Sequence, residues 1–215
     1  MKLAVIDLGI GNLRSVEHAL KTVAPDAQVD VTDQKSVIES ADRIVLPGQG
    51  AIGSWFDALR SCDLHNVITE SINHKPLLGI CVGMQALFSY CEEDGGMPGL
   101  GLFDGEVKHF SHFHKSQTNK LKIPQMGWNQ VSQTQAHPLW NNIDDDAHFY
   151  FVHSYCANMN DAANIDAITG MADYGHRFIA AVATENVFAV QFHPEKSHRD
   201  GLQLLKNFTQ WNGKV

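Results

Sequence analysis

An α/β fold on a mostly parallel central sheet flanked by helices is predicted by three observations. Short β-rich runs alternate with helical patterns through the first half of the chain. One run, 76–80, is apolar enough to be a strand buried on both faces. The second half is richer in strands, which predicts extra antiparallel strands beside the parallel ones. Alternating strands and helices call for a sheet covered on both sides.

The elements follow in order. Residues 3–7 read as a strand, and 13–23 carry apolar residues at helical spacing. Residues 28–31 and 43–46 read as strands, the second stopped by Pro47-Gly48. Helices are expected over 52–59 and 64–72, a strand over 76–80, and a helix over 82–90. Further strands are expected over 102–110, 125–131, 148–155, 165–171, 178–184 and 187–192. A final amphipathic helix is expected over 201–211, with Leu202, Leu205, Phe208 and Thr209 on one face. The polar segment 109–122 reads as an excursion loop.

With 215 residues and 44% hydrophobic content the chain suits a single domain over 1–215. The net charge of -8, with no cluster of Lys and Arg, argues against nucleic acid and anionic membranes as partners. The N-terminal apolar run is only a strand long, and no stretch approaches the ~20 residues of a spanning helix. Cys62, Cys81, Cys91 and Cys156 form no CxxC pair and no zinc spacing. Reduced thiols and a cytoplasmic location are expected.

Gly9-Ile10-Gly11-Asn12 follows the first strand, but Arg14 stands where a dinucleotide fingerprint needs glycine. A tight strand-to-helix turn is the better reading. His109, His112 and His114 have chelating spacing, yet no carboxylate or Cys frames them, and a solvated loop is preferred to a metal site. Asp144-Asp145-Asp146 reads as a charged turn rather than a magnesium site.

Gly79-Ile80-Cys81-Val82-Gly83 is the strongest local signal. G-x-C-x-G between a buried strand and a helix is the cysteine form of the nucleophile elbow. Its glycines relieve crowding and are expected to leave the Cys81 side chain exposed above the sheet. A helix N-terminus there favours a thiolate, and the Val82 N–H points where an oxyanion would form. Gln191-Phe192-His193-Pro194-Glu195 ends a strand with a base and a group to orient it. Leu46-Pro47-Gly48-Gln49-Gly50 ends another strand in a glycine-rich loop, where ligand crevices form.

With these segments together, the chain resembles class I (triad-type) glutamine amidotransferases. Within that class it is similar to the glutaminase subunits of imidazole glycerol phosphate synthases. The finer likeness rests on Met126-Gly127-Trp128-Asn129, Phe151-Val152-His153-Ser154-Tyr155 and His193-Pro194-Glu195-Lys196-Ser197. The resemblance implies that Cys81 attacks the glutamine carboxamide, His193 shuttles the proton and Glu195 orients His193. It implies an oxyanion hole from Val82 and Gln49, and a glutamine site from Gly48, Gly50, Gln85, Ser154 and Tyr155. No cofactor is implied. A (β/α)8-barrel cyclase of histidine biosynthesis is the implied heterodimer partner, docking near Asn12, Trp128, Asn129 and Lys196. Two positions depart from the family pattern: Gln49 stands where Val is usual, and Gln125 where His is usual. A paralogue feeding ammonia to a sugar-modifying synthase, and a regulatory protein with an inactive site, remain alternative readings.

Overall fold

The computed structural model describes residues 1–11, 13–113, 121–158 and 165–214. Four fully or nearly fully buried strands explain why the sheet is parallel at its centre. These are β1 (Lys2–Ile6), β3 (Arg43–Gly48), β4 (Leu77–Cys81) and β13 (Val187–Val190). Strands buried on both faces read as continuous apolar runs, and helices must cover them. With β2 (Gln28–Thr32) at the edge, they pair in parallel in the order β2-β1-β3-β4-β13. The register sets Gly48 beside Cys81, and Ile80 beside Val190. The carboxyl ends of β3 and β4 thus meet side by side.

Helix α1 (Leu13–Val23) buries Val16, Ala19 and Leu20, and packs against α6 (His198–Gln210). Between β2 and β3, α2 (Lys35–Ser40) packs on α4 (His65–Ile72), with α3 (Ile52–Ser61) before it. Two helix ends take cations from elsewhere in addition to their backbone caps. Lys75 Nζ donates to Ile38 O at 3.1 Å and Ala41 O at 2.9 Å at the end of α2. Arg43 donates to Trp211 O at the end of α6, through Nη2 at 2.6 Å. Such cations satisfy carbonyls that a helix leaves unpaired.

The second half extends the sheet with mostly antiparallel strands. They are β7 (Phe103–His109), β8 (Gln125–Gln133), β9 (Ala147–His153), β10 (Tyr155–Ala157), β11 (Ile168–Asp173) and β12 (Arg177–Ala183). Phe192 stacks on Phe149 at 4.1 Å between ring centroids and meets Phe151 edge-on at 5.7 Å. Trp140 and Phe188 continue this aromatic core. Fully burying rings of this size supplies several kcal/mol, and it fixes the chain one residue before His193.

Several expectations need correction. The helix expected over 82–90 is only α5 (Val82–Gln85), and Phe88–Cys91 is a strand, β5, parallel to β7. Its burial pattern, with Phe88 and Cys91 buried and Ser89 and Tyr90 more open, is not a strand alternation, and the pairing with β7 outweighs the helical reading. A short β6 (Met97–Pro98) pairs with it. Strand β3 runs on through Pro47 to Gly48 instead of stopping at Leu46. The strand expected over 148–155 breaks at Ser154 into β9 and β10. On α6 Leu205, Phe208 and Thr209 are buried as expected, together with Gly201, Leu204 and Asn207, while Leu202 is only half-buried. Helix α2 was not anticipated. Among the described residues no helix is long and apolar enough to cross a membrane.

Candidate active site

Cys81 ends β4 and caps α5 with φ 56° and ψ -110°. A non-glycine residue held there stores about 1–3 kcal/mol, and only a tightly constrained neighbourhood keeps it so. Three glycines provide that constraint by letting backbones touch. A Cβ on Gly83 would lie 1.9 Å from Leu46 O, and one on Gly48 would lie 2.6 Å from Val82 Cβ. A Cβ on Gly79 would lie 2.9 Å from Ala189 Cβ. The glycines therefore seat the elbow between β3 and β13. They do not leave Cys81 exposed: the residue is 4% exposed at the wall of a cavity of about 340 Å³.

Gln49, Gly50, Val82, Gln85, Ser154, Tyr155 and His193 line the same cavity. Gly48 does not; it lies beneath Val82 and Gly83. Val82 N is the first amide of α5, a donor with no intrahelical partner. Gly50 adopts φ 84°, a turn conformation suited to glycine, while the Gln49 side chain lies across Gly11. Gln85 spends its amide N–H groups on Tyr155 O and Gln191 Oε1, both at 3.0 Å. Only its carbonyl oxygen is left to offer a ligand.

His193 and Glu195 lie beyond the end of β13, not on it. Glu195 sits in a 3-10 turn over Pro194–Lys196, which folds it back onto His193. His193 Nδ1 and Glu195 Oε1 are 2.9 Å apart, with the side chains 4% and 1% exposed. Ser197 Oγ donates to His193 O at 2.6 Å and accepts from Tyr150 N at 2.9 Å, tying the turn to β9. Glu195 puts the proton on Nδ1 and leaves Nε2 for Cys81, with which the ring also hydrogen-bonds. Burial opposes the imidazolium, but the hydrogen bonds and charges of Cys81 and Glu195 outweigh it. The His193 pKa is raised to about 10.

Three residues here escaped the sequence reading. Glu93 lines the cavity from a 3-10 turn after β5, in a stretch that no motif marked. Its Oε2 accepts Ile52 N at 2.9 Å, capping α3, and burial raises its pKa. His153 lines the cavity fully buried, and burial lowers its pKa to about 4. Gln191, 0% exposed, places Nε2 3.7 Å from Cys81 Sγ. The last two lie inside recognised segments, but nothing local marked them as more than core.

The expected docking residues scatter in their behaviour. Trp128 is 46% exposed and stacks on His198 with centroids 4.9 Å apart. Beside it on β8, Met126 is 65% exposed. Asn129 donates to Asp173 O at 2.8 Å. Lys196 borders both the cavity beside Cys81 and a neighbouring groove with Arg14, His18 and His198. Asn12 lies outside the described residues, as does His114. Among the described residues no group of three or more His, Cys, Asp or Glu could hold a metal ion. His112 bonds Glu92 at 2.7 Å, and Asp145 and Asp146 bond Gln133 and Ser132.

The family model for class-I glutamine amidotransferases matches residues 4–211. The HisH protein of imidazole glycerol phosphate synthase from Acinetobacter baylyi is 49% identical over 212 residues, covering 98% of each chain. Its counterpart from Pseudomonas syringae is also 49% identical, over 99% of this chain and 98% of its own. Among solved structures, a putative GMP synthase component from Thermoplasma acidophilum matches with TM-score 0.68 and 21% identity. It covers 98% of this chain and 92% of its own, a likeness of fold. The chain therefore belongs to the class-I glutamine amidotransferase family and, within it, to the HisH subunits of imidazole glycerol phosphate synthase.

Proposed function

We propose that this chain hydrolyses glutamine to glutamate and ammonia through a thioester on Cys81, as the glutaminase subunit of an imidazole glycerol phosphate synthase. The observation that carries the reading is the strained, cavity-facing Cys81 beside a buried His193–Glu195 pair at 2.9 Å. Cys81 sulfur attacks the carboxamide carbon, and the oxyanion takes N–H groups of Val82 and Gln49. The His193 imidazolium protonates the departing nitrogen, which leaves as ammonia. Water, deprotonated by the now neutral His193, attacks the thioester. Glutamate leaves and Cys81 is restored. An oxyanion donor in such a site is worth roughly 3 kcal/mol of barrier.

The cavity suits an α-amino acid. Glu93 and the Gln85 carbonyl oxygen offer acceptors to an ammonium group, with Ser154 and Tyr155 on the wall. Gly48 acts by seating the elbow rather than by touching glutamine. A (β/α)8-barrel cyclase docks on the face carrying Met126, Trp128 and Lys196, and receives the ammonia. This reading places the protein in the cytoplasm, where four free cysteines stay reduced. Cys81→Ala should abolish glutamine-dependent synthesis by the assembled complex while synthesis from free ammonium persists. Loss of both activities would sink the two-subunit reading.

A further inference from the structure

A line of buried hydrogen bonds runs from the start of β8 to the catalytic sulfur. His153 Nδ1 lies 2.8 Å from Tyr155 O, and its Nε2 lies 2.9 Å from Gln125 Oε1. Tyr155 O also accepts from Gln85 Nε2 at 3.0 Å. The same Gln85 nitrogen donates to Gln191 Oε1 at 3.0 Å, and Gln191 Nε2 reaches Cys81 Sγ at 3.7 Å. Gln125, His153, Gln85 and Gln191 are all buried.

Donors and acceptors along this line are determined by its members. His153 sits buried among the rings of Phe110, Phe151 and Phe178, and that burial favours the neutral ring with one proton. A carbonyl only accepts, so Nδ1–H faces Tyr155 O. Nε2 must then accept, which assigns the Gln125 atom facing it as the NH2 group, the amide being turned over from the Oε1 placement. At the other end, Gln191 Oε1 is engaged by Gln85, so the Gln191 amide cannot rotate to present oxygen to Cys81. It presents N–H.

We infer that Gln191 is a further catalytic residue of this site: it donates its amide N–H to the Cys81 sulfur and holds it as the thiolate. Gln85 is the positioning residue: its NH2 group, bonded to both Tyr155 O and Gln191 Oε1, keeps the Gln191 amide turned this way. The inference rests on Cys81 being the nucleophile. The sulfur's other neighbour explains why such a donor is needed. Val152 O lies 3.9 Å from Sγ and can only accept, so it favours the protonated thiol. Gln191 can only donate there and opposes it. Acceptance by Gln191 Oε1 polarises the amide and strengthens its donation.

The test is alkylation of Cys81 by iodoacetamide, read on the Cys81 peptide by mass spectrometry across a pH series. It uses the purified chain and the assembled complex, wild type against Gln191→Met. The variant should alkylate roughly tenfold more slowly near neutral pH, the loss expected for one hydrogen bond to a charged acceptor. Its pH profile should move to higher pH, with the limiting rate at high pH unchanged. Gln85→Met, which leaves Gln191 in place but unlocked, should move the profile the same way by less. If Gln191→Met does not fold, Gln85→Met decides alone. Unchanged profiles with Cys81 still reactive would overturn the role of Gln191 and leave the nucleophile intact. A Cys81 unreactive in wild type at every pH would instead overturn the thioester reading.

Discussion

Replacing Glu195 with Gln should separate catalysis from folding. The carboxylate accepts from His193 Nδ1 through Oε1 at 2.9 Å, while Oε2 is buried with no hydrogen-bond partner among the described residues. Gln keeps an oxygen for Nδ1–H and removes the charge. A hydrogen bond to a charged group contributes about 1.5–3 kcal/mol and a neutral one about 0.5–1.5 kcal/mol. The imidazolium therefore loses roughly 1–2 kcal/mol of support. With its pKa raised to about 10, His193 stays largely protonated in the resting enzyme near neutral pH. The cost falls where imidazolium charge forms anew, as His193 takes the proton of the hydrolytic water. Glutamate release by the complete complex should fall roughly tenfold or more. Stability should change little, because the isosteric substitution keeps the Nδ1–H bond and exchanges one buried unpaired atom, Oε2, for another, the amide nitrogen. The melting temperature should stay within about 4 °C of wild type, equivalent to ~1 kcal/mol in a chain of this size. Turnover within twofold of wild type would refute the orienting role of Glu195. A large drop in melting temperature parallel to the loss of activity would refute the separation.

Other outcomes follow from the same geometry. Gly83→Ala would press a Cβ to 1.9 Å from Leu46 O, so denaturant melts should show a loss of at least ~3 kcal/mol or no folded protein. His137 and His153 have folded pKa values lowered by burial to about 4, against about 6.5 unfolded. The unfolded chain then binds more protons between these values, so stability is full above about pH 6.5 and is lost as pH falls towards 4. The loss is at most ~3 kcal/mol per histidine, seen in urea melts near pH 7 and pH 4.5, and should shrink in His137→Gln. Trp128→Ala should leave the melting temperature within ~2 °C but weaken binding to the proposed cyclase partner roughly tenfold or more, measured by titration calorimetry.

Much of the fold was legible because periodicity reports burial. Helix α1 and the central strands follow their apolar patterns closely, since a strand covered on both faces has no polar alternative. The segment after Cys81 misled because 82–91 is apolar at most positions, with no clear period. Helix and strand then differ only through neighbours, and the pairing of Phe88–Cys91 with β7 decides for strand. Cys81, His193 and Glu195 were legible because a glycine-flanked elbow and a His-Pro-Glu turn each need particular residues at fixed spacing.

What the sequence by itself determined is the α/β class, the family and the three residues proposed for the chemistry, all written in short contiguous segments. Only the tertiary structure placed Glu93 in the cavity, moved Gly48 beneath the elbow, and joined Gln125, His153, Gln85 and Gln191 into one line ending at Cys81. The physical reason is that a buried glutamine looks the same in sequence whether it fills core or faces a sulfur. Its role depends on which donors and acceptors distant strands bring within about 3–4 Å of it, and no local pattern records that.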